Sequence, residues 1–238
     1  MNTLNFLFTQ FGFISLTVVF GILLLREIKH ALARTDFDQT RQRRIFYTTL
    51  FSLLSWLIII SVLSLMGIFN DFSTMPPVLF IVLIVPLAVV IWLLNNDTAS
   101  IVIHAITPHK LITLQVFRVF VEILLWALFI QGLLPEQMTF DGRNFDIISG
   151  LTAPMMAWLV YKQKVSKAIV VLWNVCCLAL LVNIVTTAIL SMPTPFRVFM
   201  NEPANTIVAT FPFILLPGFL VPLAYTLHFF SLKSITRK

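Results

Sequence analysis

The sequence predicts an all-α integral membrane protein: a seven-transmembrane-helix bundle with its N-terminus outside and its C-terminus in the cytoplasm. Three observations carry this. Of 238 residues, 59% are hydrophobic and only 11% charged, where a soluble globular domain carries about 25% charged residues. Apolar stretches of membrane-crossing length recur along the whole chain. The basic residues between them fall almost entirely on one side.

The spans are expected at about 5–25, 45–69, 76–95, 113–134, 145–161, 168–191 and 206–230, forming one polytopic domain over 1–238. In lipid every backbone polar group must be satisfied within its own segment, so the spans are helices. The period-two alternation of a membrane barrel is absent. The first span, beginning near Phe6, has no basic residue before it and no small-residue cleavage signature after it, so it is expected to stay in place with its N-terminus translocated. The fifth span is short and holds Gly150 and Pro154. Charge supports its crossing, because otherwise Lys162, Lys164 and Lys167 would lie outside. Loop 26–44, loop 96–112, loop 162–167 and the C-terminal tail, including Arg237 and Lys238, place 13 basic residues on one side, against Arg143 and Arg197 on the other. Short loops with that bias predict a multi-pass protein of the cell inner (plasma) membrane. Trp92, Trp158 and Trp173 are expected at the cytoplasmic interface, and Trp56 and Trp126 within the bundle.

A weak internal repeat suggests a 3+1+3 layout of parallel triplets. Trp56 and Trp173 each precede a Met-Pro pair by the same spacing, and Val85-Pro86-Leu87-Ala88 returns as Val221-Pro222-Leu223-Ala224. Parallel repeats of this kind occur among small transporters.

Polar residues inside a bilayer are costly and need a reason. In the fourth span Gln115, Arg118, Glu122 and Trp126 share one helical face, and Arg118 and Glu122 are spaced to pair at i,i+4. Topology brings Asn174 and His228 to the same depth, with His109 an alternative. This predicts a cytoplasmic-half cluster of Gln115, Arg118, Glu122, Asn174 and His228, acting either as a helix lock or as a ligand and proton site. On the outer side Asp141, Arg143, Asn144 and Asp146 read as a turn and helix cap, or as a mouth that selects solutes, joined by Asn201, Glu202 and Asn205.

Several function classes lack their residues. There is no phosphate-binding glycine loop and no His-Glu-x-x-His. The last span has no lysine for a retinal Schiff base. Adjacent Cys176 and Cys177 read as packing residues. The net charge of +6 sits in membrane-flanking loops, not on a nucleic-acid-binding surface. No catalytic set, cofactor or metal is expected. The expected partners are the lipid bilayer, a small-molecule solute and a membrane protein, with no nucleic acid. The leading expectation is a secondary transporter or permease for a small solute. The alternatives are a non-catalytic membrane subunit or assembly factor, and a membrane-embedded enzyme on a lipid-like substrate.

Overall fold

The computed structural model describes residues 3–235, and those residues are helical with no strand. Arg237 and Lys238, counted above with the basic tail, lie outside the described residues. The helices are α1 (Thr3–Leu32), α2 (Gln39–Leu65), α3 (Phe80–Asn95), α4 (Asp97–Ala105), α5 (Pro108–Leu114), α6 (Phe117–Ile130), α7 (Ile147–Tyr161), α8 (Lys167–Leu190) and α9 (Val221–Ile235). Four helical stretches are long and apolar enough to cross a membrane: α1, α2, α5 continuing into α6, and α8. Taking α3 and α4 as one broken span makes five, and α7 is a shorter apolar helix. Large apolar side chains stand exposed along these helices, among them Phe8 and Phe11 on α1 and Ile58, Ile59 and Leu65 on α2. Surfaces this apolar are stable against lipid and not against water.

Local chemistry sets the helix starts. Asp38 accepts the Arg41 N–H at the head of α2, Asn96 accepts the Ala99 N–H at 2.9 Å to start α4, and Ser166 caps α8 through Ile169. Pro108 opens α5, where its missing N–H costs nothing. Stretch 96–112, expected as a loop, is therefore helical in part: α4 turns 87° away from α3 at Asn96.

α9 is the central pillar, packed against α3, α4, α5 and α8. α2 is the most peripheral helix, with only Ile60 and Ser64 buried. A π turn over Leu216–Leu220 leads into α9 and contains Pro217 and Gly218. Pro222, four residues after Gly218, has no N–H to give to the Gly218 carbonyl. The Trp56 indole of α2 supplies the donor instead, at 2.8 Å. The two Val-Pro-Leu-Ala segments occupy different settings: the first is inside α3, the second begins α9 just after the π turn. α1 has 30 residues and α7 has 15, so the first members of the two expected triplets also differ.

Replacing Trp56 with Phe keeps the ring and orphans the Gly218 carbonyl. Thermal unfolding in detergent is expected to register a loss of about 1–3 kcal/mol, the cost of an unsatisfied buried acceptor. Unchanged stability would show that another donor serves this carbonyl.

Candidate functional site: a buried polar chain beside a small cavity

The segment between α6 and α7 turns back into the protein. Thr139 O accepts the N–H groups of both Gly142 and Asn144, at 3.0 and 3.1 Å, curling the chain on itself. Gly142 is required there, since a Cβ would lie 2.4 Å from Glu136 O. The curl delivers Asn144 to the interior, where its side chain joins three partners. Its Nδ2 donates to Met138 O at 3.1 Å and to Glu122 Oε2 at 2.5 Å, while its Oδ1 accepts the Asp146 N–H at 3.0 Å. Asp146 then stands at the start of α7, where the helix dipole favours negative charge. One turn on, Gly150 lets α7 press against α6; a Cβ there would meet Val119 N at 2.8 Å. That close approach brings Asp146 to Arg118.

Arg118 and Glu122 are each 2% exposed, Asp146 4% and Asn144 0%. The guanidinium of Arg118 grips Asp146 with both edges: Nε donates to Oδ2 at 2.6 Å and Nη2 donates to Oδ1. Nη2 also reaches Cys177 O at 3.5 Å, and Nη1 meets His228 Nε2 at 2.9 Å. A guanidinium can only donate, so His228 Nε2 is the acceptor and its proton is on Nδ1. Nδ1 accordingly donates to Asn174 Oδ1 at 2.9 Å. The Asn174 amide donates in turn to Val170 O at 2.8 Å and Ser231 Oγ at 3.3 Å. One unbroken chain of contacts thus runs Glu122–Asn144–Asp146–Arg118–His228–Asn174–Ser231, joining α6, α7, α8 and α9.

Beside it lies a cavity of about 90 Å³. Its wall is largely apolar, with Glu122, Asp146 and Asn205 as polar exceptions, and it borders the π turn at Leu216 and Pro217. Asn205 is fully buried; its Nδ2 donates to Ala188 O at 3.0 Å while its Oδ1 has no hydrogen-bond partner. The polar lining is thus two carboxylates and one amide whose oxygen is unpartnered. Arg118 neutralises Asp146, whereas among the described residues Glu122 has one amide donor, Asn144, and no counter-charge of its own within ion-pair distance. A buried carboxylate without a paired cation is expensive, and the hydrogen bond from Asn144 offsets only part of that cost. Among the described residues no three His, Cys, Asp or Glu side chains converge as metal ligands.

A family model described as a domain of unknown function, DUF8737, matches residues 76–236, more than half of the chain. The chain belongs to this family. No curated protein and no solved structure matches it. The matched region holds α3 to α9 and so every residue of the polar chain, while α1 and α2 lie before it.

Four sequence expectations are corrected by this geometry. The carboxylate paired with Arg118 is Asp146, not Glu122, because the guanidinium is satisfied from a facing helix while Glu122 turns to Asn144. Asn144 and Asp146 are not at an outer mouth: pairing with Glu122 and Arg118 draws both into the core. Asp141 and Arg143 do remain exposed, Asp141 accepting from the Trp126 indole at 2.7 Å and Arg143 lying over the Phe199 ring at 5.1 Å. That contact puts Trp126 at the surface and not within the bundle, while Trp173 sits half-buried against the His228 ring. Asn205 is buried, apart from exposed Glu202, which pairs with Arg197 at 3.0 Å.

Of the inner cluster, Arg118, Asn174 and His228 are brought into contact. Gln115 is buried nearby but donates to Ala224 O at 3.2 Å, outside the chain. His109 meets the Tyr161 ring edge-on, with centroids 5.2 Å apart, and takes no part. Ser231 was missed, although it lies three residues from His228 on the same helical face, a signal the sequence contains.

Asp146→Asn removes the counter-charge from a buried guanidinium and is expected to cost about 3–5 kcal/mol of stability. Glu122→Gln keeps an acceptor for Asn144 and is expected to change stability by less than about 1 kcal/mol. Thermal unfolding of both variants in one detergent checks the contrast. Equal losses would remove the distinction between a fixed ion pair and an exchangeable carboxylate.

Proposed function

We propose that this chain is a small secondary transporter or permease of the cell inner membrane, moving a small solute in exchange for, or together with, a proton or monovalent cation at Glu122. The observation that carries this reading is a cavity lined by two carboxylates, Glu122 and Asp146, and by Asn205, whose Oδ1 has no hydrogen-bond partner. A hydrogen-bond donor or a cation suits this lining, such as a protonated water, a protonated primary amine or a bare monovalent cation. Intramembrane carboxylates of this kind mark ion and proton pathways. Arg118 has a different part. Four of its hydrogen bonds are already committed to protein, so it fixes the site's geometry and leaves exchange to Glu122.

The topology proposed with this function has seven crossings, N-terminus outside and C-terminus in the cytoplasm, supported by the one-sided basic loops. In the fifth crossing α7, about 22 Å long, is shorter than the roughly 30 Å hydrocarbon core. The curled segment 139–146 completes it. Non-helical backbone at membrane depth is tolerated where protein buries it or where it lines a cavity, and this segment adjoins one. The neighbouring π turn gives the last crossing a break beside the same cavity.

The test is internal pH in liposomes carrying the purified protein, with amino acids, amines and sugars applied one at a time. A solute that drives proton movement through the wild type and not through Glu122→Gln is the expected outcome. Equal proton movement in both would remove Glu122 from the mechanism. No solute response from the wild type, together with a protein partner that co-purifies with both forms, would overturn transport in favour of a membrane subunit.

A further inference from the structure

A second feature, across the π turn from the cavity beside the polar chain, concerns the lipid side of the protein. Two cavities of about 430 and 420 Å³ lie along α2. They share Thr48, Thr49, Trp92 and Leu93 in their walls, so they form one trough. Its two ends differ in chemistry. One end holds Arg41 and Arg44 together with Asn96 and Thr98 at the bend between α3 and α4. The other is apolar, formed by residues such as Leu53, Pro86, Val89 and Phe219, with Trp56 and Gly218 at its floor.

The basic end is built and not incidental. Arg41 donates from Nη2 to Thr98 Oγ1 at 3.0 Å and lies 4.1 Å over the Phe37 ring, which fixes its guanidinium at the trough's edge. Arg44 is exposed, and its side chain makes no hydrogen bond or ion pair with any described residue. No acidic residue lines either cavity. Asp97, between Asn96 and Thr98 in sequence, is exposed and lies outside both cavity walls, and Asp38 is engaged with the backbone at the head of α2. The trough's length also has a natural scale. From Arg41 to Trp56, α2 rises about 22 Å, which is half of the roughly 40–45 Å thickness of a bilayer with its headgroups.

We propose that this trough is a binding site for one anionic phospholipid of the leaflet on the basic side of the protein. Its phosphate sits between Arg41 and Arg44, and an acyl chain lies along Trp92, Val89 and Pro86 toward Trp56. Two cations with no lining anion favour a net negative headgroup over a zwitterionic one, because a choline or ethanolamine cation finds no partner there. Each arginine adds attraction for anionic lipid near the surface, and the apolar slot supplies the part that is independent of charge.

The experiment is native mass spectrometry of the full chain in detergent, titrated with phosphatidylglycerol or with phosphatidylcholine of the same acyl chains. The wild type is expected to retain one phosphatidylglycerol about tenfold more tightly than phosphatidylcholine. Arg41→Gln with Arg44→Gln is expected to bring the two lipids level. Val89→Trp, which fills the slot and leaves both arginines, is expected to weaken both lipids. Equal retention of the two lipids by the wild type would overturn the site, as would a preference that survives the double substitution. Retention unaffected by Val89→Trp would place the lipid outside the trough and overturn it equally.

Discussion

The ion pair between Arg118 and Asp146 is the constraint on which the rest of this architecture hangs. A guanidinium buried in an apolar bundle needs a counter-charge and hydrogen bonds at several positions, and no single helix can offer them all. Meeting that need draws in the start of α7 with Asp146, the carbonyl of Cys177 on α8 and the imidazole of His228 on α9. Gly142 and Gly150 belong to the same requirement, one permitting the curl that carries Asn144 and Asp146 inward and the other permitting contact between α6 and α7. The chemistry of one side chain thereby fixes the mutual placement of four helices.

That arrangement divides the polar groups into two kinds. Arg118, Asp146, His228 and Asn174 satisfy one another in a closed sequence of donors and acceptors, and such networks rigidify the core that contains them. Glu122 ends the chain at Asn144, and Asn205 lies outside it, bonded to Ala188 O; both line the cavity, Asn205 with its Oδ1 unpartnered. A rigid charged frame beside an underfilled acceptor site is the arrangement that lets one group change protonation or ligand while its neighbours hold position.

The sequence made a good part of this legible. Helical spacing picked out the buried face of Arg118 and Glu122, and span order brought Asn174 and His228 to the same depth. What spacing cannot supply is the identity of a partner from another helix: i,i+4 geometry offered Glu122 to Arg118, while the fold offers Asp146 with better geometry. Asn144 and Asp146 were misplaced for a related reason. Polar residues flanking an apolar run read as surface in a linear pattern, and only three-dimensional packing reveals that the chain curls inward before α7. The 87° turn after α3 had a cue in Asn96, which caps α4, but its direction is a matter of tertiary contact. The π turn had its cue in Pro217, Gly218 and Pro222, while the indole that serves the vacant carbonyl comes from a helix distant in sequence.

The π turn has two sides. Leu216 and Pro217 face the acceptor-lined cavity, and Gly218 and Phe219 face the trough on the lipid side. A few residues of irregular helix are thus a partition between an internal compartment and the membrane, held to α2 by one indole hydrogen bond. Displacement of that partition alters the volume of both compartments together. Thermodynamic linkage then requires that whatever shifts the partition from one side changes affinity on the other by the same factor, in both directions. If the proposed lipid and a solute in the inner cavity each favour one position of this wall, lipid composition and cavity occupancy become variables of a single equilibrium.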